Sequence, residues 1–85
     1  MQLLRTELFK KDFKRLPAEI QQRVGKALEL LMSNPRHHSL QVKKMEGTSD
    51  LWELRVSDNY RITFQRVEEG VLLRRVGTHN VLRQP

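Results

Sequence analysis

The chain has 85 residues, no cysteine, and 16 basic against 10 acidic side chains, which give a formal net charge of +6 at pH 7. This length predicts one domain spanning residues 1–85, and the lack of cysteine excludes a disulfide framework and a thiolate metal site. Because the apolar runs are too short for a membrane span and the start MQLLRTELF lacks the apolar core of a secretion signal, we expect a cytoplasmic protein.

Residues 1–5 are apolar enough to form a short strand, and a first helix is predicted directly after them. Thr6 is a candidate N-cap for this helix, and Glu7 suits the positive end of the helix dipole. Pro17 either ends the first helix or opens the second. One face of the first helix is apolar at the spacing i, i+4, i+7, through Phe9, Phe13 and Leu16.

The second helix is predicted from about Pro17 to Met32, and Ser33-Asn34-Pro35 ends it. Gly25 lies inside this helix and costs about 1 kcal/mol there unless the two helices approach closely at that point. The two helices should form a hairpin that packs its apolar face on a sheet. The apolar stripe of the second helix consists of Ile20, Val24, Ala27, Leu28 and Leu31.

Three strands are predicted after a polar loop at residues 36–49, namely residues 51–56, 60–67 and 71–78. Turn-forming residues separate them, so consecutive strands should be antiparallel, and the first strand of the chain should pair with one of them. The sequence therefore predicts an α+β fold of order β-α-α-β-β-β. It is a two-layer sandwich with an antiparallel helical hairpin on one face of a mainly antiparallel four-stranded sheet.

The face of the sheet turned away from the helices is called the open face here. Side chains alternate along a strand, so the apolar positions that meet the helices force their neighbours onto the open face. In the last strand, Leu72 and Val76 should point inward. Arg74 has inward parity too, so it either reaches past the helices to solvent or follows a β-bulge that resets the strand. The residues predicted on the open face are Glu53, Arg55, Arg61, Thr63, Gln65, Leu73, Arg75, Gly77 and His79.

The open face therefore gathers three arginines and one histidine against a single acid, Glu53. Such cations repel one another unless an anion joins them, so we expect a phosphate-binding site. His79 adds a group that can donate or accept a proton near neutral pH. The alternative is an ordinary solvated sheet face. Lys43 and Lys44 are either phosphate contacts at its rim or a solvated pair.

Metal and cofactor chemistry is not expected. His37 and His38 are adjacent in a loop, and no third ligand falls at metal-binding spacing. The chain also has no glycine-rich phosphate loop, no Ser/His/Asp set and no paired carboxylates of the kind that catalysis uses.

The segments KKMEGTSDLWELRVSDNYRITFQ and VLLRRVGTHNVLR resemble the RelE/ParE superfamily of bacterial type II toxins, above all its messenger-RNA-cleaving members of the RelE, YoeB and YafQ kind. The resemblance covers nearly the whole chain and implies a RelE-like toxin domain. It implies that Arg61 faces the scissile phosphate. It also implies that His79 is a general acid or base, as in YafQ-like members, whereas RelE-like members have an arginine at the position of His79. Arg55 matches a basic strand position, and Glu53 a position where some relatives have an acid and others a lysine.

The resemblance implies a metal-independent endoribonuclease, in which the ribose 2′-hydroxyl attacks the adjacent phosphate. Its substrate would be messenger RNA on the ribosome. Lys43, Lys44 and Arg75 are expected as phosphate contacts from their positions, and the two lysines match the family only loosely. Relatives usually carry an aromatic residue after the last strand, but none follows His79, and Arg83 could stack on bases in its place.

A second reading is open, because ParE-like members share the fold, inhibit DNA gyrase and need no catalytic set. A third is an inactive RNA-binding relative. Either toxin reading implies a cognate antitoxin, which would be a small and often acidic protein forming a hetero-oligomer with this chain. We expect no cofactor and no membrane partner.

Overall fold

The computed structural model describes residues 2–48 and 50–85, so Met1 of the predicted first strand and Ser49 of the predicted loop lie outside it. Two short 3₁₀ helices, His38–Leu40 and His79–Leu82, accompany the main elements. The main elements are β1 (Gln2–Arg5), α1 (Glu7–Lys14), α2 (Ala18–Ser33), β2 (Lys43–Lys44), β3 (Leu51–Arg55), β4 (Tyr60–Val67) and β5 (Gly70–Thr78).

These elements form a five-stranded mixed sheet of order β1-β5-β4-β3-β2. Strand β1 pairs in parallel with β5, and every other pair is antiparallel. The predicted α+β sandwich is confirmed, but the sheet has one strand more than expected. The extra strand, β2, has only two residues inside a polar loop, which is too short for an alternating pattern to show.

Thr6 is the N-cap of α1, as its sequence position predicts. Its hydroxyl accepts a hydrogen bond from the amide of Phe9 at 3.0 Å and donates one to the carbonyl of Arg74 at 2.8 Å. The same residue therefore starts the helix and fixes it to β5. Pro17 occupies the N-cap position of α2, so it opens the second helix.

The core lies between the helical hairpin and the sheet. Leu54, Ile62 and Phe64 point toward the helices, as side-chain parity predicts, and Ile62 is completely buried. Leu40 of the first 3₁₀ helix closes one side of the same core. The helices contribute Phe9, Val24, Ala27 and Leu31.

A β-bulge interrupts the pairing of β4 and β5. Thr63 is opposite Arg75 and Phe64 is opposite Leu73, so Arg74 is the extra residue. The bulge was one of the two explanations for Arg74, and it is confirmed. The expectation for two neighbours is wrong, because the bulge reverses their parity: Leu73 is completely buried, whereas Leu72 lies beside Gln65 on the open face.

Candidate functional site

Two rows of side chains cross the open face, and the strand register determines their members. In the first row, Thr63 lies between Glu53 and Arg75. In the second row, Arg61 lies between Arg55 and Gly77. The structure therefore brings the predicted acid and the three predicted arginines to one face.

The two lysines of β2 are separated by the same alternation. Lys43 is opposite Glu53, and its Nζ lies 3.9 Å from the Oε1 of that carboxylate. Lys44 is opposite Trp52 and so points to the helical side of the sheet. Only Lys43 can act together with the open face.

Two of the three arginines are neutralised by carboxylates that the sequence analysis did not assign to this face. The Arg55 guanidinium bonds to the Asp58 carboxylate in the turn between β3 and β4. Arg75 bonds to Asp12 of α1. The expectation that Glu53 alone opposes these cations is therefore wrong, because a turn and a helix each supply a further acid.

Arg61 differs from its neighbours because its partners are uncharged. Its Nη1 donates to the carbonyls of Ser57 at 2.6 Å, Tyr60 at 3.0 Å and Asp58 at 3.3 Å. Within residues 2–48 and 50–85, it makes no ion pair with a carboxylate. These carbonyls hold the guanidinium in place, but they leave its positive charge uncompensated.

The Asp12–Arg75 pair fixes α1 to the part of β5 that extends beyond β1. Arg75 Nε donates to Asp12 Oδ2 at 2.8 Å and Nη2 donates to Oδ1 at 3.1 Å, and the Val76 amide also donates to Oδ2. The hydrogen bonds and charge of Asp12 raise the pKa of Arg75 above its ordinary value. Because the Asp12 carboxylate already occupies the Arg75 guanidinium, it competes with the phosphate that this arginine was expected to bind.

Replacing Asp12 with asparagine is expected to lower the free energy of unfolding by about 2–3 kcal/mol, because it leaves the half-buried Arg75 without its counter-charge. Denaturant titration followed by circular dichroism measures the loss. Asp58→Asn is the matched control: that carboxylate also pairs with an arginine but is 84% exposed, so its loss should stay below about 1 kcal/mol. Equal losses in the two variants would contradict a structural role specific to Asp12.

The C-terminal segment, residues 79–85, folds back over the open face. Val81 is buried against Gly77, where an added Cβ would come within 2.8 Å of the valine Cγ1. The carbonyl of Pro85 accepts hydrogen bonds from Thr63 Oγ1 at 3.2 Å and Arg74 Nε at 3.0 Å. This segment explains why part of a face expected to be solvated is buried, with Thr63 completely inaccessible.

His79 begins the second 3₁₀ helix instead of continuing β5, so strand parity does not orient it as expected. It is exposed, and it lies two residues beyond Gly77, the cross-strand neighbour of Arg61. Thr78, the residue before His79, is the cross-strand partner of Tyr60, so His79 follows β5 at the same end of the sheet as Arg61. Arg83, at the end of the same helix, is exposed as well.

The two loop histidines lie elsewhere. The rings of His37 and His38 stack with centroids 4.7 Å apart, and His37 Nδ1 lies 2.8 Å from the hydroxyl of Ser39. These contacts are local to the first 3₁₀ helix. In the part of the chain that the structure describes, no three His, Asp or Glu residues cluster as a metal site would need.

None of the described helices is both long enough and apolar enough to span a membrane.

A model of the family described as "ParE toxin of type II toxin-antitoxin system, parDE" matches residues 3–82 of this chain. No curated protein sequence matches it significantly. Among solved structures, the fold resembles the RelB–RelE antitoxin–toxin complex from Methanococcus jannaschii, with 24% identity, a TM-score of 0.76 and 94% of each chain covered.

Two further structures match equally well in shape. The DinJ–YafQ toxin–antitoxin complex from E. coli has 15% identity and a TM-score of 0.79, over 95% of this chain and 94% of that one. The YoeB/ParE toxin from Agrobacterium tumefaciens has 15% identity and a TM-score of 0.78, over 93% and 99%. At these identities the likeness shows a shared fold.

Proposed function

Because this chain belongs to the ParE toxin family of type II toxin–antitoxin systems, we propose that it is an endoribonuclease toxin that cleaves messenger RNA on the ribosome without a metal ion. The membership of this chain in the ParE toxin family confirms the predicted resemblance to the RelE/ParE superfamily. Two observations support cleavage: an uncompensated arginine on the sheet and an exposed histidine that follows the neighbouring strand. Arg61 has no carboxylate partner in the described chain, and His79 is exposed two residues beyond Gly77, the cross-strand neighbour of Arg61.

In the proposed reaction, the ribose 2′-oxygen forms a bond to the adjacent phosphorus while the bond from phosphorus to the 5′-oxygen breaks. The products are a 2′,3′-cyclic phosphate and a 5′-hydroxyl. Arg61, assisted by Arg55, stabilises the charge that develops on the phosphoryl oxygens. His79 donates a proton to the leaving 5′-oxygen, and Glu53 accepts the proton of the 2′-hydroxyl.

The RNA backbone needs contacts outside the reacting phosphate, and exposed cations supply them. Lys43 at the rim and Arg83 after the last strand are both exposed, so we assign them to RNA binding. Arg75 has a lesser role than the sequence suggests, because Asp12 occupies its guanidinium. Lys44 contributes only where RNA passes around the edge of β2.

A second candidate function is inhibition of DNA gyrase without catalysis. The matched family model is the ParE model, which is the observation that favours this alternative. The C-terminal segment is also without an aromatic residue to stack on a base. A shared fold does not distinguish the two activities.

A direct comparison separates these activities. The purified protein is added to a translating extract, where primer extension detects new 5′ ends on messenger RNA, and to a gyrase supercoiling assay. Ribonuclease action predicts new ends that depend on ribosomes and carry a 5′-hydroxyl. Inhibition of supercoiling with intact messenger RNA would refute the proposal and support gyrase as the target.

The partner of this toxin is a cognate antitoxin, in keeping with the antitoxin complexes of the RelE and YafQ structures that share its fold. We propose that the two proteins form a hetero-oligomer. A toxin that acts on translating ribosomes works in the cytoplasm, which is the location we assign.

A further inference from the structure

A groove of about 360 Å³ lies where the end of β3 meets α2 and the first 3₁₀ helix. Three cations line it, namely Arg23 and Lys26 of α2 and Arg55 of β3, and none of its described lining residues is an acid. Leu30 and Val56 are only partly buried in this lining, so apolar surface remains accessible between the charges. The groove therefore offers positive charge around an apolar floor.

The charges of this groove are only weakly compensated. Lys26 makes no ion pair with a described residue. Arg23 lies 3.9 Å from the Glu19 carboxylate, but both side chains are more than half exposed, and surface pairs of this kind contribute little. Asp58, the partner of Arg55, is exposed as well. A phosphate that enters the groove can therefore compete with these carboxylates.

Arg55 connects the groove to the proposed reaction site, because it lines the groove and is also the cross-strand neighbour of Arg61. The strand order β5-β4-β3 places His79, which follows β5, on one side of Arg61, and Glu53 of β3 on the other. In an in-line displacement, the attacking and leaving oxygens lie on opposite sides of the phosphorus. With His79 as the acid and Glu53 as the base, the nucleotide that supplies the 2′-hydroxyl lies toward β3.

We propose that this groove binds the RNA backbone on the 5′ side of the cleaved bond, with a phosphate on Arg23 and Lys26 and a base on the apolar floor. RNA then crosses the sheet from β3 to β5 in the 5′ to 3′ direction, and Arg83, which follows β5, contacts the 3′ side. This inference rests on the ribonuclease function proposed above, because it uses the assigned acid and base. An acidic peptide would also suit the cations, but the continuity of the groove with the reacting arginines favours the substrate strand.

The direction of the strand is tested with an RNA of about four nucleotides whose riboses all carry a 2′-O-methyl group, which removes the attacking hydroxyl and prevents cleavage. A nitroxide at its 5′ or its 3′ end broadens nearby amide signals of the ¹⁵N-labelled protein. We expect the 5′ label to broaden the signals of Arg23, Lys26 and Leu30, and the 3′ label to broaden those of Leu82 and Arg83. The opposite assignment, or groove signals that stay sharp with both labels, would overturn the proposal.

The charge contribution is tested with Arg23→Gln combined with Lys26→Gln. This double variant should bind the same RNA about tenfold more weakly, and the slope of log affinity against log salt should fall by about 1.4, at about 0.7 for each contact to a single strand. Lys11→Gln combined with Lys14→Gln is the matched control, because it removes two exposed charges at the same spacing from α1, outside the groove. Equal effects of the two double variants would show that only net charge matters and would contradict the proposal.

The failure of this inference can be distinguished from the failure of the proposed function, because binding is measured on RNA that cannot be cleaved. A 5′ label in the groove without cleavage in the translating extract would support the groove and refute the ribonuclease function. Cleavage with an unoccupied groove would refute the groove alone. A glutamate-rich peptide, titrated under the same conditions, should leave the groove signals unchanged, and its binding there in place of RNA would also refute the proposal.

Discussion

Replacement of Arg61 by alanine is expected to reduce messenger-RNA cleavage by about 10²- to 10³-fold, the usual cost of removing a preorganised donor from a developing oxyanion. Arg55 and Arg75 already face the carboxylates of Asp58 and Asp12. Arg61 makes no such pair in the described chain, so its charge is the uncompensated one among these three arginines. Formation of new 5′ ends in a translating extract, measured as an initial rate, gives the effect.

The controls for Arg61 must separate charge from turn structure, because its Nη1 also bonds to three carbonyls near the β3–β4 turn. Arg61→Lys keeps the charge and should retain more activity than alanine does, although it cannot make a two-pronged contact. Arg36→Ala removes an equal charge from an exposed loop and should leave cleavage nearly unchanged. Equal losses in the Arg61 and Arg36 variants would show that only net charge matters.

Much of the fold is predictable because local patterns and tertiary packing agree. Thr6 caps α1, and the apolar stripe of α2 meets the alternating apolar positions of the strands. Parity alone also places Glu53, Arg55 and Arg61 on one face, since each lies next to a core residue in its strand. Such patterns do not show whether a protein with this fold acts on RNA or on gyrase.

Side-chain parity fails to predict which face a residue of β5 occupies when it is extended across the bulge at Arg74. Alternation is reliable only while the register is unbroken, and one extra residue exchanges the faces of everything before it on β5. The sequence indicated this bulge through Arg74, because a cation at an inward position between apolar residues is unfavourable in an unbroken strand. Its side chain bonds to Gln65 at 2.8 Å on the open face, which shows how the bulge satisfies it.

Contacts distant in sequence could not be predicted. Asp12 lies on α1, and only the packing of that helix beyond the end of β1 brings it to Arg75. The position of residues 79–85 is supported by the packing of Val81 on Gly77 and by carbonyls that any residue could supply. The glycine opposite Arg61 was therefore the available signal that another segment crosses the open face.

His79→Ala is expected to lower cleavage by about 10²- to 10⁴-fold, because the leaving 5′-oxygen would depart without a proton donor. The loss should fall on the cleavage step and leave RNA affinity almost unchanged, since Lys43 and Arg83 remain exposed. Single-turnover cleavage and filter binding, measured on the same RNA, separate the two quantities. The fold should survive, because His79 is exposed and makes no side-chain hydrogen bond to a described residue.

The matched control for this histidine is His38→Ala, which removes an exposed imidazole from the loop after α2 and should leave the cleavage rate intact. A substrate whose 5′-oxygen is replaced by sulfur has a leaving group that needs no proton. That substrate should restore cleavage by His79→Ala but not by Arg61→Ala, because only the first variant lacks the acid. If both variants were rescued, or neither, the division of roles between the imidazole and the guanidinium would be wrong.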